Sequence, residues 1–320
     1  MSILLVMLVH TTHQSLGSNM SLGALLLAGF SIIGVNVFVL ITGYFSVEPK
    51  KTSLLNLAFI CLFWAVVKIL IHLICNEPTT YKYFFFITSS NWFITSYIGL
   101  LCMSPFLNLF CNTMSKKMLW TSVIILLLFE MWFDWLPPRA RHIGTQNGYS
   151  VLSFVILYLL ARAIRLYGLP QWFKKNSPLI YLGCSLLLGF CAYVGEMMGH
   201  NIWSLCFSYN NPFVVISSVA FLMIFDRMHF HSSFINYIAK STLAVLLGHS
   251  AIFFLYTKQF KYIYDNFIGL QVVEYWALSV FIVFCASIVI DQLRILLYIP
   301  MEKLARKRIN NNYIFEIPNK

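Results

Sequence analysis

The chain of 320 residues is 59% hydrophobic and 17% aromatic, only 10% of it is charged, and its formal net charge is +11. A chain with a mean hydropathy of +0.77 cannot cover itself with a water-compatible surface, which excludes a soluble fold and leaves helices in a bilayer. Nucleic acid is excluded as a partner as well, because the basic residues have no soluble domain on which to form a patch, and the charge is read as topology.

A membrane crossing takes about 20 mainly apolar residues. Candidate segments follow one another at 1–16, 23–45, 52–75, 84–111, 118–136, 148–167, 178–199, 212–227, 234–256 and 272–299. They predict an all-α, polytopic transmembrane bundle of about ten helices, a single domain over residues 1–320 with no appended soluble domain. The first segment lacks the basic start and cleavage site of a signal peptide. It reads as a crossing clipped at its beginning, which fits either a natural chain that extends upstream of Met1 or a short first segment.

Lys and Arg collect at the cytoplasmic ends of helices. Lys50 and Lys51 follow the second segment, Lys116 and Lys117 the fourth, Arg162, Arg165, Lys174 and Lys175 the sixth, Arg227 the eighth, and Arg306, Lys307 and Arg308 the tenth. Lys240, Arg294, Lys303 and Lys320 join them, while Lys82, Arg139, Arg141, Lys258 and Lys261 fall on the other side and Lys68 inside the membrane. Both termini are therefore expected in the cytoplasm. The eight cysteines show no metal-ligand spacing and read as small lipid-phase residues.

Ionisable residues at membrane depth cost about 2.5 to 3.5 kcal/mol each, so each is a functional candidate or part of a buried pair. They are His10, Lys68, His72, Glu130, Asp134, Glu196, His200, His249 and Glu274. His10 closes an apolar stretch and is followed by Thr11, Thr12 and His13, as a neutral base at the floor of a polar mouth would be; a helix-end His bonded to a neighbouring helix reads the same way. His249 is expected about 22 Å into a helix starting near Phe234, at about 1.5 Å per residue, and either catalysis or packing beside Gly248 fits it. Glu196 with His200, and Lys68 with His72, stand at i and i+4 on one face. Two ligands on one helix define no metal site, and none is expected. His229 and His231 read as solvated loop residues. Pro105 frees a backbone carbonyl one turn earlier, for which Asn108 is the expected partner.

Four stretches carry a resemblance. ILLVMLVHTTH ends an apolar helix in His10; GVNVFVLITGYF closes in Thr42, Gly43 and Tyr44; NWFITSYIGLLCMSPFLN holds Trp92, Phe93, Tyr97, Pro105, Leu107 and Asn108; STLAVLLGHSAIF holds Leu247 and His249. Together they resemble acyltransferase family 3, the membrane O-acyltransferases of bacterial polysaccharides, lipopolysaccharide and related glycans. One departure stands out: the family pairs its first-helix His with an Arg about three helical turns earlier, a position that falls before Met1.

The resemblance implies an enzyme of the bacterial inner membrane that moves an acyl group, acetyl above all, from acyl-CoA to a sugar hydroxyl of a membrane-associated glycan. It implies no permanently bound cofactor, with acetyl-CoA or another acyl-CoA as co-substrate, and the bilayer and the glycan as further partners. His10 and His249 are the expected catalytic residues. His13, Tyr44, Trp92, Tyr97, Asn108, Glu130, Glu196 and His200 are expected around the substrate. Arg162, Arg165, Lys174 and Lys175 would meet the phosphates of coenzyme A by charge-assisted hydrogen bonds, and they equally fit plain positive-inside retention. Asp134 and Glu274 are expected to join Glu130 and Glu196 beside Trp92 and Trp203, carboxylates and flat rings suited to a sugar. The competing class is a glycan flippase or small-solute transporter without acyl transfer, for which no repeat of the TGYF or SPFLN stretch is found. The loop 137–147, with Arg139, Arg141 and His142, is short for a glycan polymerase.

Overall fold

A computed structural model of the chain describes residues 1–12, 21–85, 91–134, 145–200, 202–228 and 231–308. His13, Arg139, Arg141, His142 and His229 lie outside the described residues. In chain order the helices are α1 (Ser2–His10), α2 (Leu22–Ser31), α3 (Gly34–Tyr44), α4 (Lys51–Ile74), α5 (Trp92–Thr113), α6 (Lys116–Asp134), α7 (Val151–Tyr167), α8 (Gln171–Met197), α9 (Trp203–Cys206), α10 (Pro212–Asp226), α11 (Ser233–Ala239), α12 (Thr242–Ala251), α13 (Phe253–Asn266) and α14 (Leu270–Arg308). Single 3-10 turns stand at Tyr81–Phe84 and Gln146–Gly148.

Five spans among the described residues are long and apolar enough to cross a membrane: α2 with α3, α4, α5, α8 and α14. A sixth exists if α12 and α13, bent by 75°, make one broken span. The remaining expected segments form shorter or more polar helices. The largest departure is at 234–256, expected as one helix and found as α11, α12 and the start of α13. Ser241 turns the chain there, its hydroxyl donating at 2.7 Å to Asp291 of α14. His249 therefore stands seven residues into α12, about 10 Å along it, and not about 22 Å into a continuous helix.

The chain divides into two compact units, Met1–Val47 with Trp92–Phe230, and Glu48–Asn91 with His231–Lys320. In the first, α7 is the central helix, flanked by α3, α5 and α6. All residues from Ser153 to Ile164 are buried, as expected of a helix apolar all round. Small residues let neighbours approach: a Cβ on Gly43 would lie 2.7 Å from the Tyr158 carbonyl oxygen, and one on Gly29 would collide with the Ser185 carbonyl where α2 crosses α8. In the second unit α12 packs on α4 and α14, around Ile60, Trp64 and Ala244. The other faces of α4 and α14 expose Leu62, Leu70, Phe281 and Leu293, which suit contact with lipid.

Candidate active site

His10 is the last residue of α1 and is half-buried. Beyond it Thr11 and Thr12 are fully buried, and their hydroxyls fold back to the carbonyls of Leu8 and Val9 at 2.6 and 2.7 Å. Both threonines thus satisfy the helix's own C-terminal carbonyls and do not open a polar mouth. The helix terminus places partial negative charge next to the imidazole.

The first unit carries two polar clusters. In one, paired residues at i and i+4 on facing helices meet rung by rung: the Tyr158 hydroxyl donates to Asn108 Oδ1 at 2.6 Å and Arg162 Nη2 donates to Asn112 Oδ1 at 3.0 Å. Asn108 Nδ2 donates onward to the Val47 carbonyl at 3.2 Å. The carbonyl freed by Pro105, that of Leu101, is taken by Ser104 Oγ at 2.9 Å, so Asn108 is not its partner. Next to this ladder Tyr44 donates to Asp226 at 2.6 Å, and Arg165 both donates to the Tyr44 hydroxyl at 3.3 Å and lies 4.9 Å from its ring. Arg162 is 6% exposed, inside α7 and not in the loop after it. Its Nε has no hydrogen-bond partner, and no ion pair involves it among the described residues. Lys174 is half-buried and Lys175 exposed, both at the start of α8.

The other cluster is a brace. Asp134, at the end of α6, accepts from the Asn147 amide at 2.8 Å and from Asn210 Nδ2 at 2.9 Å. Glu130, buried one turn earlier, accepts from the Ser153 hydroxyl. Trp92 meets Tyr149 and Tyr209 at ring distances of 4.5 and 5.8 Å, and Asn36 of α3 donates to the Tyr209 carbonyl at 2.7 Å. Burial pushes the Tyr209 phenol well above its ordinary range. Tyr97 stacks on Phe93 and bonds to Thr42.

Glu196 and His200 do not share a helix face. The helix α8 ends at Met197, Gly199 takes φ +72°, and the amide of exposed His200 turns back to the Gly195 carbonyl at 2.9 Å.

In the second unit His249 is buried in α12, with Nδ1 3.1 Å from the Val245 carbonyl. A carbonyl can only accept, so Nδ1 carries the hydrogen, and in the neutral ring Nε2 carries the lone pair. Lys68 and His72 do share a face of α4, both meeting Tyr83, at 4.4 Å and 5.4 Å from its ring. Glu274 is exposed on α14.

A family model of the acyltransferase domain matches residues 1–291. The chain belongs to acyltransferase family 3. No curated protein and no solved structure matches it. The match runs through both units, and the residues that carry the resemblance are divided between them: His10, Tyr44, Tyr97 and Asn108 lie in the first unit, His249 in the second. In this acyltransferase the sequence reading passed over Asn36, Asn112, Tyr158 and Asp226. The signal was present for three of them, as an Asn isolated in the apolar run of α3 and as polar pairs spaced by four in α5 and α7.

Proposed function

We propose that the protein is an integral membrane O-acyltransferase that transfers an acyl group, acetyl above all, from acyl-CoA to a hydroxyl of a polysaccharide or lipid-linked sugar. The observation that carries this reading is the family match over residues 1–291, which takes in the half-buried His10 at the end of α1. In this reading His10 removes the proton of the acceptor hydroxyl as its oxygen attacks the thioester carbonyl. The new C–O bond forms, the C–S bond breaks, and the proton returns to the coenzyme A thiolate.

The phosphates of the donor need a cationic partner, and the end of α7 and α8 offers one. Arg162 supports this, since a buried guanidinium with no carboxylate partner among the described residues calls for an anion. Basic residues collect on one side of the sequence map, and with them the reading takes that end, and both termini, as cytoplasmic, in a bacterial inner membrane crossed about ten times. The test is release of free thiol from acetyl-CoA by the purified chain in lipid nanodiscs, with and without cell-envelope glycan. Glycan-dependent release of at least several-fold over the empty nanodisc is expected; none with any envelope fraction overturns the reading.

A further inference from the structure

The second unit holds a cleft of about 640 Å³ that plays no part in the catalysis described above. The start of α4 (Lys50, Thr52, Asn56), Lys240 between α11 and α12, and the later turns of α14 wall it. Its floor is a closed hydrogen-bonded set. Buried Arg294 grips both oxygens of Asp291, at 2.7 and 2.9 Å, and donates at 2.9 Å to Asn56. Asp291 accepts in addition from Ser241 at 2.7 Å, and Tyr298 ties α14 to the Thr52 carbonyl at 3.1 Å. Three of the five Arg294 donors are thereby engaged, and the cleft keeps its shape without help from mobile surface side chains.

Four cations, Lys50, Lys240, Arg294 and Arg306, line the wall with one carboxylate, Glu302, which accepts from Arg306 at 2.7 and 3.1 Å. Asp291 beneath the floor brings the acids to two and leaves cations in excess. The volume falls within the range of roughly 300 to 1,000 Å³ usual for small-molecule sites. Such a concentration of ammonium and guanidinium donors around one concave space matches phosphate oxygens, and basic pockets of this kind among membrane helices take phosphorylated headgroups. We propose that the cleft is a phosphate-binding site, occupied by the nucleotide end of an acyl-CoA or by the headgroup of an anionic phospholipid. The nucleotide source rests on the acyltransferase reading; the phosphate site does not.

The full chain in phosphatidylcholine nanodiscs is titrated with adenosine 3′,5′-bisphosphate, and in a second series phosphatidylglycerol is added to the nanodiscs while thermal stability is read. At least one probe is expected to act on wild type, more weakly as salt rises. Its apparent affinity should fall roughly tenfold in Lys240→Gln/Arg306→Gln and be kept in Lys240→Arg. Both replaced side chains are exposed, so the variant folds, and Lys258→Gln in the same unit serves as the charge control with no change. Nucleotide binding that phosphatidylglycerol leaves intact assigns the site to the nucleotide, and stabilisation by phosphatidylglycerol that the nucleotide leaves intact assigns it to lipid. Failure of both probes on wild type, or undiminished action of both on the double variant, overturns the proposal. Should wild type bind a probe yet release no thiol from acetyl-CoA, the cleft stands and the acyltransferase reading falls.

Discussion

Replacing Asn108 by Leu tests the hydrogen-bond ladder at its centre. In the native chain Asn108 accepts from Tyr158 at 2.6 Å and donates to the Val47 carbonyl at 3.2 Å, and Tyr158 is fully buried. The substitution strands a partly buried carbonyl and takes the Asn108 bond from a buried hydroxyl that keeps Ser46. At roughly 1 to 3 kcal/mol for the unsatisfied group and about 1 kcal/mol for the lost hydrogen bond, Asn108→Leu should lose about 2 to 4 kcal/mol. Tyr158→Phe removes a donor and leaves Asn108 its second bond, so about 1 kcal/mol is expected. Both singles remove the same Tyr158–Asn108 bond, so the loss in the double variant should fall short of the sum of the singles by about 1 kcal/mol. Equilibrium unfolding in mixed micelles measures all three. Asn108→Leu within about 0.5 kcal/mol of wild type, or strict additivity of the pair, would refute the ladder. Ser104→Ala separates this from the expectation drawn from Pro105: it should cost about 1 kcal/mol, whereas it would be neutral if Asn108 served the Leu101 carbonyl.

His10→Ala should lose a factor of about 10² to 10⁴ in acyl transfer at matched membrane abundance, and His13→Ala much less; a His10→Ala enzyme within threefold of wild type removes this residue from the mechanism. Gly43→Ala should cost about 1 to 3 kcal/mol, because the added methyl would lie 2.7 Å from the Tyr158 carbonyl oxygen and 3.0 Å from the Ala161 Cβ; an unchanged unfolding midpoint would mean that α3 and α7 are not this close. Cysteines at exposed 117 and 175 should resist an impermeant thiol reagent applied to intact cells, while exposed 147 and 259 should react, in a background where exposed Cys75, Cys102 and Cys191 are serine. Position 145 is unsuitable for this because Thr145 is buried; labelling at 117 or 175 overturns the topology.

Composition and long apolar runs made the helical class legible, and α4, α5, α8 and α14 fall close to where those runs predicted them. Two features were hidden for a physical reason. Helix α7 is the buried centre of its unit, yet a helix wrapped by other helices and one facing lipid are equally apolar. The break between α11 and α12 sits at a tether between Ser241 and Asp291, fifty positions apart, and apolarity carries no sign of it. By contrast the end of α8 was readable, because a Gly just past a helical run marks a left-handed stop. Gly199 with φ +72° is that stop, and it places His200 off the helix that carries Glu196.

Polar residues at membrane depth cost several kcal/mol unless something in the protein pairs with them, and the partner found decides what each is for. Glu130 has Ser153, Asp134 has Asn147 and Asn210, and Asp291 has Arg294 and Ser241. Each of these groups uses hydrogen bonds to hold helices or loops together, so a carboxylate expected to meet a sugar is found engaged within the chain. Sequence shows only that an ionisable group is there. Arg162 belongs to the other kind: it is as buried as those carboxylates, yet among the described residues its side-chain bonds run to the neutral Asn112 amide and the Cys111 thiol, and its Nε has no partner. A charge kept in the bundle without a counter-charge is costly to stability, and it is therefore a stronger pointer to an anionic ligand than any of the paired carboxylates that looked equivalent in the sequence.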